Sequence, residues 1–224
     1  MKQKITCFCD SVFEVEAPQT IDLDAESRYF DELLSGTFLN FTCSNCGKKH
    51  KPEFPLTVRW QSKGFHCEVV PEQDRGDFYR AKKSAPLGTP KGDKKGAPLT
   101  ETIIGYPELA DRLSILRDGF EVIAIEAIKY LLYQKAFDEY PDAKPEVWYF
   151  GFSESTNRIK KDGFLEFHIH GIRADEVAVM KIPLSLYQQT LADYREQPKK
   201  ALFSGLVVHT YRSVKNALRH EALK

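Results

Sequence analysis

Apolar and polar positions alternate clearly at the start of the chain. Lys4–Thr6 and Ser11–Ala17 carry strand-type residues, and in the second run Val12 and Glu14 alternate with Phe13 and Val15. A period of two predicts a strand with one buried face, and Pro18 ends it. Asp22-Leu23-Asp24 then reads as a turn and cap for a short helix over Ala25–Leu34, with acids in its first turn and Gly36 as its stop. Phe38–Thr42 reads as a further strand, and Phe54–Trp60 with Gly64–Val70 as a hairpin that closes a first unit near residue 75. Residues 76–99 lack apolar periodicity and are rich in Gly, Pro and Lys, which predicts a flexible basic linker.

The remainder, residues 100–224, changes period. Pro107 suits a first helical turn, so Pro107–Arg117 reads as a helix, broken at Asp118-Gly119. Phe120–Tyr140 is the strongest helical pattern. Phe120, Ala124, Ala127, Ile128 and Leu131 form one stripe, and Val122, Ile125, Leu132 and Ala136 widen it around the helix. A helix so apolar is expected to be buried against a sheet. Val147–Ser153, Gly163–Gly171 and Glu176–Ile182 are the candidate strands, and their short connections predict antiparallel pairing. Leu184–Glu196 reads as a helix, Leu206–His209 as a strand and Tyr211–Leu223 as a last helix. The fold class is α+β, with an N-terminal, zinc-ribbon-like antiparallel sheet interrupted by a helix, and a C-terminal antiparallel sheet packed by helices.

Charge and composition narrow the function classes. The formal net charge of the 224 residues is zero, which supplies no long-range attraction to nucleic acid or anionic lipid. The acidic residues between Asp10 and Glu32 would further repel phosphate on that side of the first unit. Nucleic acid is thus an unfavoured partner and a protein partner the favoured one. No apolar run approaches the roughly 20 residues that span a bilayer, and MKQKITCFC lacks the apolar core of a secretory signal. A cytoplasmic setting is expected, where thiols stay reduced.

The cysteines carry the chemistry. Cys43-Ser-Asn-Cys46-Gly47 is a knuckle whose two thiolates can meet one ion, with backbone N–H groups beyond Cys43 free to donate to its sulfur. Gly47 permits the tight turn. A structural zinc ion takes four ligands in a tetrahedron, and Cys7 and Cys9 are the second pair. Zinc–sulfur bonds of about 2.3 Å place neighbouring sulfurs roughly 3.7 Å apart, whereas residues i and i+2 of a flat strand stand roughly 6.7 Å apart. The backbone is therefore expected to curl at Phe8–Asp10. Cys7, Cys9, Cys43 and Cys46 are the predicted ligands of a structural Zn2+ that leaves no open position. His50 is a candidate replacement for one of them. Cys67 shares a face with Phe65 and Val69, so it reads as a core thiol.

ITCFCDSVFEV and FLNFTCSNCGKKHKPEFPL together resemble the CpXC-domain family of bacteria and archaea, and residues 105–131, GYPELADRLSILRDGFEVIAIEAIKYL, are similar to the helical segment that follows in longer members. Two features depart from the family's Cys-Pro-x-Cys pattern: the first pair is one residue shorter, and Phe8 and Ser44 stand where proline would be. The resemblance implies a zinc-ribbon-like module of prokaryotic origin in a family whose function is uncharacterised. It implies no activity.

One other constellation can be weighed. In Leu165–His170, Glu166, His168 and His170 share one face of a strand. Two imidazoles and a carboxylate can bind a transition metal or move protons, which makes a metal-dependent enzyme the alternative reading. A polar, solvated sheet face explains the same pattern. No phosphate-binding loop, dinucleotide turn or nucleophile elbow is present, and no catalytic residue is assigned.

Overall fold

The computed structural model describes residues 1–83, 100–154 and 163–221. The chain divides into two compact units, Met1–Ala110 and Asp111–Lys224. No described helix is long and apolar enough to cross a membrane.

The first unit opens with β1 (Lys2–Thr6) and β2 (Val12–Glu16), an antiparallel hairpin pairing Lys2 with Glu16 and Thr6 with Val12. After β3 (Thr20–Asp22) and α1 (Arg28–Leu34), a small antiparallel pair follows, β4 (Phe41–Thr42) with β5 (Lys49–His50). The strands β6 (Leu56–Trp60) and β7 (Phe65–Val70) form the expected antiparallel hairpin. The helix α2 (Arg75–Lys83) and the strand β8 (Glu101–Ile104) complete the unit. Two pairings run parallel and were not foreseen: β3 with β6 and β7 with β8. Parallel partners lie far apart in sequence, so no turn signal marks them. Ile21, Val58, Cys67, Val69 and Ile103 are buried in this sheet. Cys67 is thus the core thiol that the alternation implied.

Two expected boundaries move for local reasons. The helix of α1 begins three residues later than the sequence pattern suggests, because the Asp22 carboxylate accepts the N–H groups of Asp24 and Ala25 and holds a turn there. The strand expected over 38–42 shrinks to β4. The N–H groups of Thr37 and Phe38 donate to the Glu32 carbonyl, and Leu39 adopts a φ of 53°. Gly36 ends the helix with a φ of 66°, as expected. Of the linker expected over 76–99, residues up to Lys83 continue α2, and 84–99 lie outside the described residues.

The unit boundary falls within α3 (Tyr106–Arg117). In the second unit, α4 (Val122–Glu139) is buried around nearly its whole first half, from Val122 through Lys129. It packs against α5 (Leu184–Glu196) and the sheet formed by β9 (Glu146–Glu154), β10 (Gly163–His170) and β11 (Ala178–Pro183). That sheet is antiparallel in the order β11–β10–β9, as the short connections implied. Its inner face presents Val147, Tyr149, Leu165, Phe167 and Ile169, all buried. Burying a side chain of this size is worth roughly 1.5–3 kcal/mol. The short helix α6 (Ala201–Gly205) was not foreseen. Nor was β13 (Tyr211–Arg212), which pairs with β12 (Val207–Val208) and delays α7 (Val214–Glu221), where the Ser213 hydroxyl accepts the Lys215 N–H.

Gly171 ends β10 with a φ of 75°, and a Cβ there would collide with the Lys144 carbonyl. Gly171→Ala is expected to cost more than about 1 kcal/mol, since alanine at positive φ adds strain to the clash. Comparing urea midpoints of the two proteins checks this, and equal midpoints would refute it.

Candidate metal centre

Each cysteine pair sits at the tip of a hairpin. At the end of β1 the Cys7 N–H donates to the Ser11 carbonyl at 2.8 Å, and the Asp10 N–H donates back to the Cys7 carbonyl at 3.0 Å. Asp10 takes a φ of 63°, so the chain curls over Phe8–Asp10 as the sulfur spacing requires. Between β4 and β5 the Gly47 N–H donates to the Cys43 carbonyl and the Cys43 N–H to the Lys48 carbonyl, both at 2.9 Å, with Gly47 at a φ of 71°. A side chain at that φ is strained, which explains the glycine.

The two tips bring the four predicted residues together. The ligand atoms of Cys7, Cys9, Cys43 and Cys46 all lie within 4.8 Å of one another. The Sγ atoms of Cys7 and Cys46 are 3.4 Å apart, and those of Cys9 and Cys43 are 3.8 Å apart. These spacings bracket the roughly 3.7 Å edge of a zinc–thiolate tetrahedron. The donor set is soft and complete for a four-coordinate ion. Cys7 and Cys43 are buried, Cys9 is half-buried and Cys46 is exposed.

The surrounding groups favour negative charge on some sulfurs and not on others. Ser11 Oγ lies 3.3 Å from Cys9 Sγ, and the Asn45 side-chain amide donates to the same sulfur at 3.5 Å. Those two contacts, Ser11 first, hold the Cys9 thiol down at about 5. The backbone N–H of Cys46, followed by that of Asn45, lowers Cys43, which is the knuckle donation expected from the spacing. Cys7 receives the Cys9 N–H, but burial and the adjoining thiols of Cys46, Cys43 and Cys9 outweigh it and push Cys7 up to about 12. In the metal-free protein the crowded sulfurs therefore keep a proton at Cys7. A divalent cation would supply the charge that the proton supplies there.

His50 stands beside this group rather than in it. Its Nε2 is 3.1 Å from Cys7 Sγ, and its ring stacks on Phe8 with centroids 5.7 Å apart and meets Phe13 edge-on. The sequence pattern did not single out Ser11 or Asn45. Their position inside the CxC and CxxC loops is the signal that could have found them.

The strand-face residues behave differently. His168 Nε2 lies 3.1 Å from Glu166 Oε1, and its ring stacks flat on Phe150 with centroids 4.1 Å apart. His170 is exposed, opposite Glu146 in the register. Among the described residues, the four cysteines are the only group of such side chains gathered closely enough for a metal.

The chain matches the family described as CpXC protein over residues 5–129. It is 29% identical to an uncharacterized protein of Treponema pallidum (strain Nichols), in a match that covers 95% of this chain and 97% of that relative. No solved structure matches it.

Proposed function

The chain belongs to the CpXC family, and from that premise we propose that it is a non-catalytic zinc protein in which Cys7, Cys9, Cys43 and Cys46 hold one structural Zn2+. The observation that carries this reading is the convergence of four sulfurs within 4.8 Å from two hairpins far apart in sequence. Four thiolates fill a tetrahedral ion, so none of its positions is left for substrate or water. The ion then clamps a zinc-ribbon-like pair of tips. None of the five cysteines is in a disulfide, which fits a reducing, cytoplasmic setting.

The clamped tips serve as a binding or adaptor surface for a protein partner. Phe8 is 82% exposed between the two ligands of the first tip, and Val12 of the same hairpin is 60% exposed. Apolar groups displayed on a rigid tip suit a protein surface that can cover them. The acidic residues that follow from Asp10 disfavour nucleic acid.

Elemental analysis of the purified full-length chain tests the metal assignment. One zinc per chain is expected, and loss of the metal with chelator should release it without an accompanying loss of any haem- or cluster-like colour. Protein that binds zinc in less than a tenth of its chains after reconstitution would overturn the reading.

A further inference from the structure

The four sulfurs are unequal in access, and the difference crosses between hairpins. Cys46 is exposed, while Cys7 and Cys43 are 3% and 1% exposed and Cys9 is half-buried. The Sγ atoms of the exposed Cys46 and the buried Cys7 lie 3.4 Å apart, closer than the 3.8 Å between Cys9 and Cys43. Thiol oxidation follows thiolate character and access to the oxidant, with a nearby second thiol to resolve it, and Cys46 is the most accessible of the four sulfurs. A disulfide has a sulfur–sulfur bond of about 2.0 Å, so this pair must close by only about 1.4 Å.

We propose that Cys46 and Cys7 form a peroxide-sensitive modification site, in which oxidation links the two hairpin tips by a disulfide and disassembles the four-sulfur group. The Cys46 thiolate attacks one oxygen of hydrogen peroxide and breaks the O–O bond. It becomes a sulfenic acid, and the departing hydroxide takes a proton to leave as water. The Cys7 sulfur then attacks the Cys46 sulfur, its thiol proton passes to the departing oxygen, the S–S bond forms, and that second oxygen leaves as water. The two sulfurs lose two electrons in total, and those two electrons reduce one peroxide to two waters. Cys9 and Cys43 remain, and two thiolates do not complete a tetrahedral ion. The metal-release consequence rests on the zinc reading above, whereas the Cys7–Cys46 linkage does not.

The identity of the bond separates this site from ordinary knuckle oxidation. Trypsin leaves Cys7 and Cys9 on one peptide and Cys43 and Cys46 on another. Oxidation within a knuckle gives no cross-link between these peptides. The proposed bond gives one, and fragmentation of the joined peptides assigns the residues. The full-length protein should be treated with one equivalent of hydrogen peroxide, with zinc measured before treatment and released zinc followed by a chromogenic chelator. A Cys7–Cys46 cross-link with zinc release in step is expected. In Cys7→Ser, the unresolved sulfenic acid should be trapped on Cys46 by a 1,3-diketone label. Protein that takes up no zinc on reconstitution yet still forms the Cys7–Cys46 bond refutes the metal reading and upholds this site. Zinc protein that forms the Cys43–Cys46 or Cys7–Cys9 bond first, or whose thiols do not react, overturns the proposal.

Discussion

Cys43→Ser protein is expected to purify without the zinc proposed for the native chain and with both cysteine hairpins opened. Cys43 is 1% exposed and its backbone is held at both ends of the knuckle, so the serine hydroxyl has no easy route to solvent. Three thiolates remain, and the surrounding structure gives little help in holding them. The β1–β2 and β4–β5 pairs are each two-stranded, and isolated two-stranded hairpins are marginal in water. Structural zinc contributes roughly 10–16 kcal/mol of apparent binding energy in small modules, which is far more than two short ladders supply. Amide exchange should therefore accelerate over residues 1–16 and 41–50, while the β6–β7 hairpin, with Val58 and Cys67 fully buried, keeps its protection. Uptake of metal by the native protein should also strengthen as pH rises, because the ion must displace the proton that burial and the adjoining thiols keep on Cys7. A Cys43→Ser protein that retains one zinc per chain with native exchange would remove Cys43 from the ligand set.

Much of this site was legible in the sequence because its constraints are local and chemical. Two thiols at i and i+2 cannot meet one ion on a flat strand, so the curl at Phe8–Asp10 follows from bond lengths alone, and Asp10 at a φ of 63° is its outcome. Gly47 was legible for the same reason. The strongly periodic elements were equally plain: α5 spans Leu184–Glu196 as the pattern predicts, and α4 falls within two residues of its expected start. The misses share a physical origin. The parallel pairings of β3 with β6 and β7 with β8 depend on long-range contacts that no turn announces. The late start of α1 reflects the Asp22 side chain competing for backbone N–H groups that a helix would otherwise use. The strand β13 is only two residues long, too short to show a period beside the helix that follows. The charged residues buried in the second unit were also missed. Glu126 and Lys129 lie on α4 among apolar neighbours, where a helical reading places them as breaks in a stripe rather than partners.

Replacing Lys129 is expected to be the most damaging single change in the second unit. Lys129, Asp111 and Glu126 are 3%, 5% and 4% exposed at their side chains, and the ammonium bonds to both carboxylates, at 2.9 Å for Glu126 Oε1. Each carboxylate also serves the backbone. Asp111 Oδ1 accepts the Tyr149 N–H at 2.6 Å, and Glu126 Oε2 accepts the Val214 N–H at 2.7 Å. One lysine thus ties α3 and α4 to β9 and to the start of α7. Lys129→Met keeps the volume but leaves Asp111 buried without its cation and Glu126 with the Arg112 charge alone, at a cost of roughly 3–5 kcal/mol. Adding Asp111→Asn should recover part of that loss, because the carboxylate that then remains, Glu126, still faces the Arg112 charge. The pH dependence has a definite sign. Burial, opposed by Lys129, raises Asp111 to about 6 from an ordinary value of 3.8, while the Lys129 and Arg112 charges overcome burial to lower Glu126. A carboxyl raised on folding adds stability that is complete below its unfolded value and lost as pH rises through its folded value. The native protein accordingly loses the Asp111 contribution between about pH 4 and about pH 6. Without the lysine charge both acids protonate more readily, so the window moves upward. The deficit of Lys129→Met relative to the native protein should therefore be smaller at about pH 5 than at about pH 8. Urea unfolding at both values, followed by near-ultraviolet circular dichroism, measures it. A deficit below about 1 kcal/mol, the scale of an exposed ion pair, or one that is equal at the two pH values, would show that the buried acids do not depend on Lys129.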